Sequence, residues 1–301
     1  MISPRRGRLP QTVRRSIVGL GTVIFFVLIP SGVNAYPGAS GGAEPRAVPA
    51  AAARSARVYR ILPLGDSITR GVGELNAKGQ AVGWRERLQQ DLRSGAAPAG
   101  FRYNFVGSQH DDGARDGDHE GHGGWTIDQL SANIAAWMAQ SRPDVVLLHA
   151  GTNNVTRGEQ PDVIAGKLAG LIAQIREDSP RTRILVAKII GTQGLLPGEK
   201  KNSAAYAARI PGVVEAAGGA RNGVYLVDQS SVRGVDIFDY HHPNARGYDK
   251  MAFNWYMAML SVLGGTWRPV VNPYLVKRAE ICTFDMVRRK RVCAVRTVRR
   301  S

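Results

Sequence analysis

The chain of 301 residues carries a formal net charge of +16, with 40 Lys and Arg against 24 Asp and Glu. That length suits one α/β domain with appendages, large enough to bury a core without disulfide staples. The charge belongs to the ends. Residues 1–35 hold five arginines and no acid, and residues 266–301 hold ten basic residues against Glu280 and Asp285. The 36–265 body keeps 25 basic and 22 acidic residues, so the overall charge gives no reason to expect a nucleic-acid partner. Both cysteines, Cys282 and Cys293, lie near the C-terminus, which excludes a thiol nucleophile or a thiolate metal site in the body. In an oxidising compartment the two could close one small loop.

The first 35 residues read as an export signal. Arg5, Arg6, Arg8, Arg14 and Arg15 precede an apolar run at 17–29, and Val33-Asn34-Ala35 is a small-residue cleavage pattern. The run is short for a bilayer span, and no later apolar stretch is long enough, so the expectation is cleavage after Ala35 and secretion without stable membrane insertion. The Arg14-Arg15 pair leaves the Sec and Tat routes open. Residues 36–57, rich in Ala, Pro and Gly, read as a flexible leader.

From residue 58, strand and helix patterns alternate. Residues 58–64 form an apolar strand, 84–92 a short helix and 101–106 a second strand. Ile127, Leu130, Ile134 and Trp137 fall on one face of a helix. Residues 144–149 form a buried strand, 163–175 a helix, 183–190 a strand, 204–217 a helix and 224–227 a fifth strand. Tyr248, Met251, Trp255, Met259 and Val262 line the inner face of a last helix. This alternation predicts a parallel sheet covered by helices on both faces, with a domain spanning 58–265. Ligands of such sheets bind beyond the carboxyl ends of the strands, so functional residues should follow strands directly.

Four clusters fall there. Gly65-Asp66-Ser67-Ile68-Thr69 follows the first strand and places a serine on a tight strand-to-helix turn. By itself this reads equally as a helix N-cap. Gly121-His122-Gly123-Gly124-Trp125-Thr126 precedes the second helix, where a glycine N–H can approach a ligand. Gly151-Thr152-Asn153-Asn154 follows the third strand, and its amides could serve an oxyanion or an Asx turn. In Asp239-Tyr240-His241-His242-Pro243, a carboxylate three residues before an imidazole can hold its Nδ1–H and leave Nε2 as a base. That spacing selects His242, with His241 as competitor. His119, Glu120 and His122 raise a metal question, but their glycine-rich run supplies no third ligand at helical spacing, and loop hydrogen bonding is the expectation. Trp84 and Arg85 are candidates for the approach to the cleft, but a tryptophan at a helix start is more often core, and Trp84 is not counted in the site.

In order, spacing and context the four clusters resemble the SGNH (GDSL-like) hydrolase family over roughly 58–263. Ser67 resembles its first-block nucleophile, Gly124 the second-block glycine, Asn153 the third-block asparagine, and Asp239 and His242 the fifth-block pair. The resemblance implies a flavodoxin-like three-layer α/β/α sandwich with a five-stranded parallel sheet in the order 2-1-3-4-5. The Gly-x-Ser-x-Gly elbow of α/β-hydrolases is absent. Phe105-Val106-Gly107-Ser108-Gln109 and the 118–127 stretch look like family 3 carbohydrate esterases, although Thr152 and Asn154 depart from the Gly-Gly-Asn-Asp that those enzymes often carry.

The implied enzyme is a secreted serine esterase acting on O-acetyl groups of carbohydrate, such as acetylated xylan, through an acyl-serine. Ser67, Asp239 and His242 form its triad, and Ser67, Gly124 and Asn153 its oxyanion hole. Asp66, Trp125 and Asn154 are expected to contact substrate, and the enzyme is expected to act as a monomer without metal or cofactor. A lipase acting on long-chain esters and a non-catalytic carbohydrate-binding protein are the rival readings. The basic 266–301 extension reads as disordered, with a tether to acidic polymer as the alternative.

Overall fold

The computed structural model describes residues 57–297 apart from Ala77, Val82, Gly113 and Lys277; the expected export signal and nearly all of the leader lie outside the described residues. Strand β1 (Val58–Gly65) is flanked by β2 (Arg102–Phe105) on one side and β5 (Val145–His149) on the other, followed outward by β6 (Arg183–Lys188) and β7 (Val224–Asp228). All these pairings are parallel, so the central sheet runs 2-1-5-6-7 in strand numbers, the expected five-strand order. Two short strands extend it. β4 (Asp118–Gly121) pairs with the end of β1, and β3 (Gln109–His110) pairs antiparallel with β4, giving seven strands in all. Asp118, His119 and Glu120 are polar and show no apolar alternation, which is why the pattern missed this pair.

The strands are apolar on both faces because both faces are covered. Within β5, Val146 and Leu148 pack with α3 (Ile127–Ser131), α4 (Ile134–Ser141), α6 (Pro161–Asp178) and α7 (Glu199–Ala216). The alternate residues Val145 and Leu147 pack with α2 (Gly83–Arg93) and α8 (Ala245–Leu263). Burying each such side chain is worth about 1.5–3 kcal/mol, so these two layers hold the sandwich together. Ile127, Leu130, Ile134 and Trp137 are buried on one face as expected, but the helix is interrupted at Ala132 and Asn133. Trp84 is fully buried in the core, and Arg85, a candidate for the approach to the cleft, is fully buried as well.

The described part of the C-terminal extension is ordered, which corrects the disordered reading. β8 (Arg278–Asp285) and β9 (Lys290–Thr297) form an antiparallel ribbon closed by the Cys282–Cys293 disulfide. Ile281 and Cys282 are buried, so the ribbon has an apolar seat that its charge count conceals. No helix among the described residues is long and apolar enough to cross a membrane.

Candidate active site

The sheet reverses its order between β1 and β5, and the expected clusters leave the carboxyl ends of these two strands. After β1, Asp66 caps the four-residue α1 (Ser67–Arg70), its Oδ1 accepting the Ile68 N–H at 2.9 Å. The turn is tight because Gly65 has no side chain. A Cβ there would lie 2.1 Å from the His149 carbonyl oxygen and 2.5 Å from Thr69 Oγ1. Arg85 braces the same turn from below, donating to the carbonyls of Thr69 and Arg70. Ser67 is thereby held half-exposed at the top of the sheet.

The 237–243 segment brings the opposing groups. His242 Nε2 is 2.9 Å from Ser67 Oγ, and His242 Nδ1 is 2.8 Å from Asp239 Oδ2. Asp239 Oδ1 accepts the backbone N–H groups of His241 and His242, each at 2.8 Å. Burial alone would raise the Asp239 carboxyl, but the imidazole of His242 and these two N–H donors hold it down to about 2. Asp239 is therefore a carboxylate throughout the neutral range, able to orient the imidazole and stabilise an imidazolium. His241 turns away and pairs with Glu199, which separates the two histidines.

Segment 72–74 packs against this loop. Gly73 has φ +135, and a Cβ on it would lie 2.4 Å from the Pro243 carbonyl oxygen and 3.0 Å from His242 Cβ. Glu74 Oε2 accepts the Ala245 N–H at 2.7 Å, and Glu74 also pairs with Arg291 of the ribbon. The ribbon reaches the loop directly: the Phe284 N–H donates to the Phe238 carbonyl at 2.6 Å, and Asn244 Nδ2 donates to the Cys282 carbonyl at 3.1 Å. Sequence reasoning missed Gly73, Glu74 and Glu199. Their partners lie far along the chain, and each residue type is common.

The remaining clusters meet above Ser67's side of the sheet edge. The His122 N–H donates to the Gly65 carbonyl at 3.0 Å, which ties the 122–126 loop to the end of β1. Asn153 Nδ2 donates to the Trp125 carbonyl at 2.9 Å, so one amide N–H orients the group and the second is available to a ligand. Among the described residues, the backbone N–H groups of Ser67 and Gly124 donate to no protein acceptor. His122 stacks on Trp125 and Trp137 at ring separations of 4.2 and 4.8 Å, leaving Trp125 half-buried.

Two expected substrate contacts are corrected. Asn154 is fully buried; its Oδ1 accepts the Ile127 N–H at 3.0 Å and its Nδ2 donates to Glu159 at 2.9 Å. It bolts the third cluster to the second rather than facing a ligand. Asp66 is also fully buried, and burial, partly offset by the Ile68 N–H and by His242, pushes its carboxyl up to about 6. The histidine run makes protein hydrogen bonds. His119 Nε2 meets Asp111 at 3.0 Å, its Nδ1 accepts the Gly121 N–H at 2.8 Å, and His122 Nε2 meets Glu120 at 2.8 Å. Burial, reinforced by Arg85, holds the His119 imidazole down to about 2, so this ring is neutral. Among the described residues, the only grouping at metal-binding distances is Glu280 with Cys282 and Cys293, and those sulfurs form the disulfide.

The sequence profile of the GDSL-like Lipase/Acylhydrolase family matches residues 64–250, which carry all of these clusters. The structure is similar to a Clostridium thermocellum family 3 carbohydrate esterase, 33% identical, with a TM-score of 0.57, covering 69% of this chain and 98% of that one. It is similar to a family 3 carbohydrate esterase from Talaromyces cellulolyticus, 29% identical with a TM-score of 0.58, covering 68% of this chain and 98% of that one. A multidomain esterase of Ruminococcus flavefaciens is 28% identical over 233 residues, 67% of this chain. The match spans only 28% of that larger protein.

Proposed function

We propose that this chain, which belongs to the GDSL-like lipase/acylhydrolase family, is a secreted serine esterase that removes O-acetyl groups from carbohydrate. One observation carries the reading: a single imidazole bridges the Ser67 hydroxyl at 2.9 Å and the Asp239 carboxylate at 2.8 Å. A hydroxyl within reach of an oriented base is the arrangement that acyl transfer to water requires.

In the proposed reaction, Ser67 Oγ attacks the ester carbonyl as His242 Nε2 takes its proton. Asp239 holds the Nδ1–H and balances the imidazolium charge. The tetrahedral oxygen is met by the Ser67 and Gly124 backbone N–H groups and by the second N–H of Asn153. Collapse passes the proton from His242 to the departing sugar hydroxyl and leaves an acetyl-serine. Water then attacks that carbonyl, giving its proton to His242, and acetate leaves as Ser67 regains its proton. Each oxyanion donor contributes about 3 kcal/mol to lowering the barrier. Every proton and charge is handled by these side chains, so the reaction as proposed calls for no metal or organic cofactor.

Similarity to carbohydrate esterases at 33% and 29% identity supports a sugar-borne ester over a lipid, and acetylated xylan is the substrate to try first. Trp125, half-buried beside Gly124, is proposed as the wall on which a sugar ring rests. The signal-like N-terminus supports export, and we read the enzyme as a monomer acting outside the cell. Acetate release from acetylated xylan, compared with hydrolysis of a long-chain p-nitrophenyl ester, tests the assignment. The expected result is acetate release that Ser67→Ala abolishes. Preference for the long chain would favour a lipase, and xylan binding without turnover would favour a non-catalytic role.

A further inference from the structure

A cavity of about 1010 Å3 lies at the carboxyl ends of β6 and β7, the same end of the parallel sheet from which Ser67 emerges. Its walls come from residues 188–193, the early turns of α7, residues 230–236 and Arg296 of the ribbon. Lys188, Lys200, Arg233, Arg246, Lys250 and Arg296 line it against a single carboxylate, Asp236. Asp236 is shared by Arg246 and Lys250, and Lys188 reaches Asp228 at 3.5 Å. Lys200, Arg233 and Arg296 form no ion pair with any described residue. The cavity is therefore strongly cationic even though the enzyme body as a whole is nearly neutral.

Its walls also hold unmet polar atoms. Thr192 Oγ1, Ser203 Oγ and Arg246 Nε are buried without a hydrogen-bond partner among the described residues. Their residues are 5%, 2% and 7% exposed. Proteins satisfy nearly all buried polar atoms, so three unmet ones on residues of three separate elements lining one cavity are unusual. Ala204, Ala207, Ala208 and Val235 add apolar surface of the kind that sugar-ring faces cover. The cavity is coupled to the triad loop. The Gln193 N–H donates to the Tyr240 carbonyl at 2.8 Å, and Asp236 precedes Asp239 by three residues.

We propose that this cavity is a subsite for a carboxylate-bearing sugar, a uronic acid unit of the acetylated polysaccharide whose ester is cleaved at Ser67. Arg233 and Lys200 meet the carboxylate, a guanidinium being suited to grip it with two parallel N–H donors. The unit docks in the cavity while a neighbouring acetylated sugar presents its ester to the serine. The identity of the polymer rests on the esterase reading; the anion site does not.

The test uses the full-length chain carrying Ser67→Ala, so that binding is measured without turnover. Titration calorimetry compares a xylo-oligosaccharide bearing one glucuronic acid with the neutral oligosaccharide of equal length, at low and high salt. The acidic ligand should bind at least about fivefold more tightly, and high salt should erase most of that preference, as expected for exposed cations. Adding Lys200→Gln and Arg233→Gln should abolish the preference and leave binding of the neutral ligand unchanged. On the Ser67 background, the same two substitutions should leave hydrolysis of p-nitrophenyl acetate unchanged. Equal binding of the two oligosaccharides, or a preference that survives the double substitution, would overturn the proposal. So would tighter binding of inorganic phosphate than of glucuronate, which would assign the site to a phosphate group. Loss of the esterase reading alone would appear differently, as wild-type protein that binds the acidic ligand but hydrolyses no acetyl ester.

Discussion

Replacing Asp239 by Asn removes one charge at constant shape and isolates what that charge does for His242. The carboxyl is held at about 2 against an ordinary 3.8, despite partial burial that opposes ionisation. That difference corresponds to about 2 kcal/mol of favourable interaction, centred on His242. Losing it when His242 becomes an imidazolium should slow turnover by about thirtyfold. The amide also alters the bond to Nδ1 at 2.8 Å. If its NH2 group turns toward the ring, the imidazole must carry its proton on Nε2 and can no longer accept from Ser67. The tautomer effect multiplies the electrostatic one, and together they can reach about 10⁴, a magnitude known from the same substitution in serine proteases. The assay is steady-state hydrolysis of p-nitrophenyl acetate at pH 8, with circular dichroism to establish folding. A kcat between thirtyfold and ten-thousandfold below wild type is expected. A folded Asp239→Asn variant within threefold of wild type would refute the reasoning.

Asn153→Ala should lower kcat by about 10²–10³ with a smaller change in KM, because the oxyanion exists chiefly in the transition state. Parallel measurement of kcat and KM with an acetyl ester checks this. Asp66 gives a pH signature of opposite sign to the usual carboxylate. Its folded value of about 6 exceeds the ordinary 3.8, so its contribution to stability is complete below about pH 4 and is lost as pH rises through 6. Asp66→Asn keeps an acceptor for Ile68 and should gain up to about 3 kcal/mol at pH 8 with no gain at pH 4, read from urea midpoints at both values. Reducing the Cys282–Cys293 disulfide should loosen the ribbon, whose loop closure is worth about 3 kcal/mol, and through Phe238 and Asn244 should lower kcat. The Cys282→Ser/Cys293→Ser variant should reproduce the loss and be insensitive to reductant.

Where local pattern carries structure, reading the chain goes far. Apolar runs with helical stretches between them are enough for a parallel sheet covered on both faces, whereas the strand order is what the family resemblance implies, and Asp239 with His242 is a contact made within three residues. Ser67 by itself reads equally as a helix cap, and the three partner clusters in the loops after other strands are what single it out. Most of the misreadings share a physical cause, a partner remote in sequence. Asn154 resembles a ligand-facing amide until the Ile127 N–H, 27 residues away, claims its oxygen. Asp66 sits next to the serine, yet the capping bond to Ile68 turns it inward. The ribbon at 278–297 reads as a solvated cationic tail because six Arg and Lys stand in it against Glu280 and Asp285. The seat of Ile281 and Cys282 against the 235–244 segment becomes visible only in three dimensions. The cationic cavity escapes composition as well, because its basic residues come from four separate stretches of a body whose charges nearly cancel and from Arg296 of the extension.

The central claim is that Ser67 is the nucleophile, and covalent trapping tests it most directly. Protein treated with a fluorophosphonate esterase inhibitor and digested for mass spectrometry should carry one adduct, on the peptide containing Ser67. Activity against acetyl esters should disappear in step with labelling, and Ser67→Ala should neither label nor turn over. Stoichiometric labelling at another residue, or undiminished hydrolysis by the Ser67→Ala protein, would contradict the account.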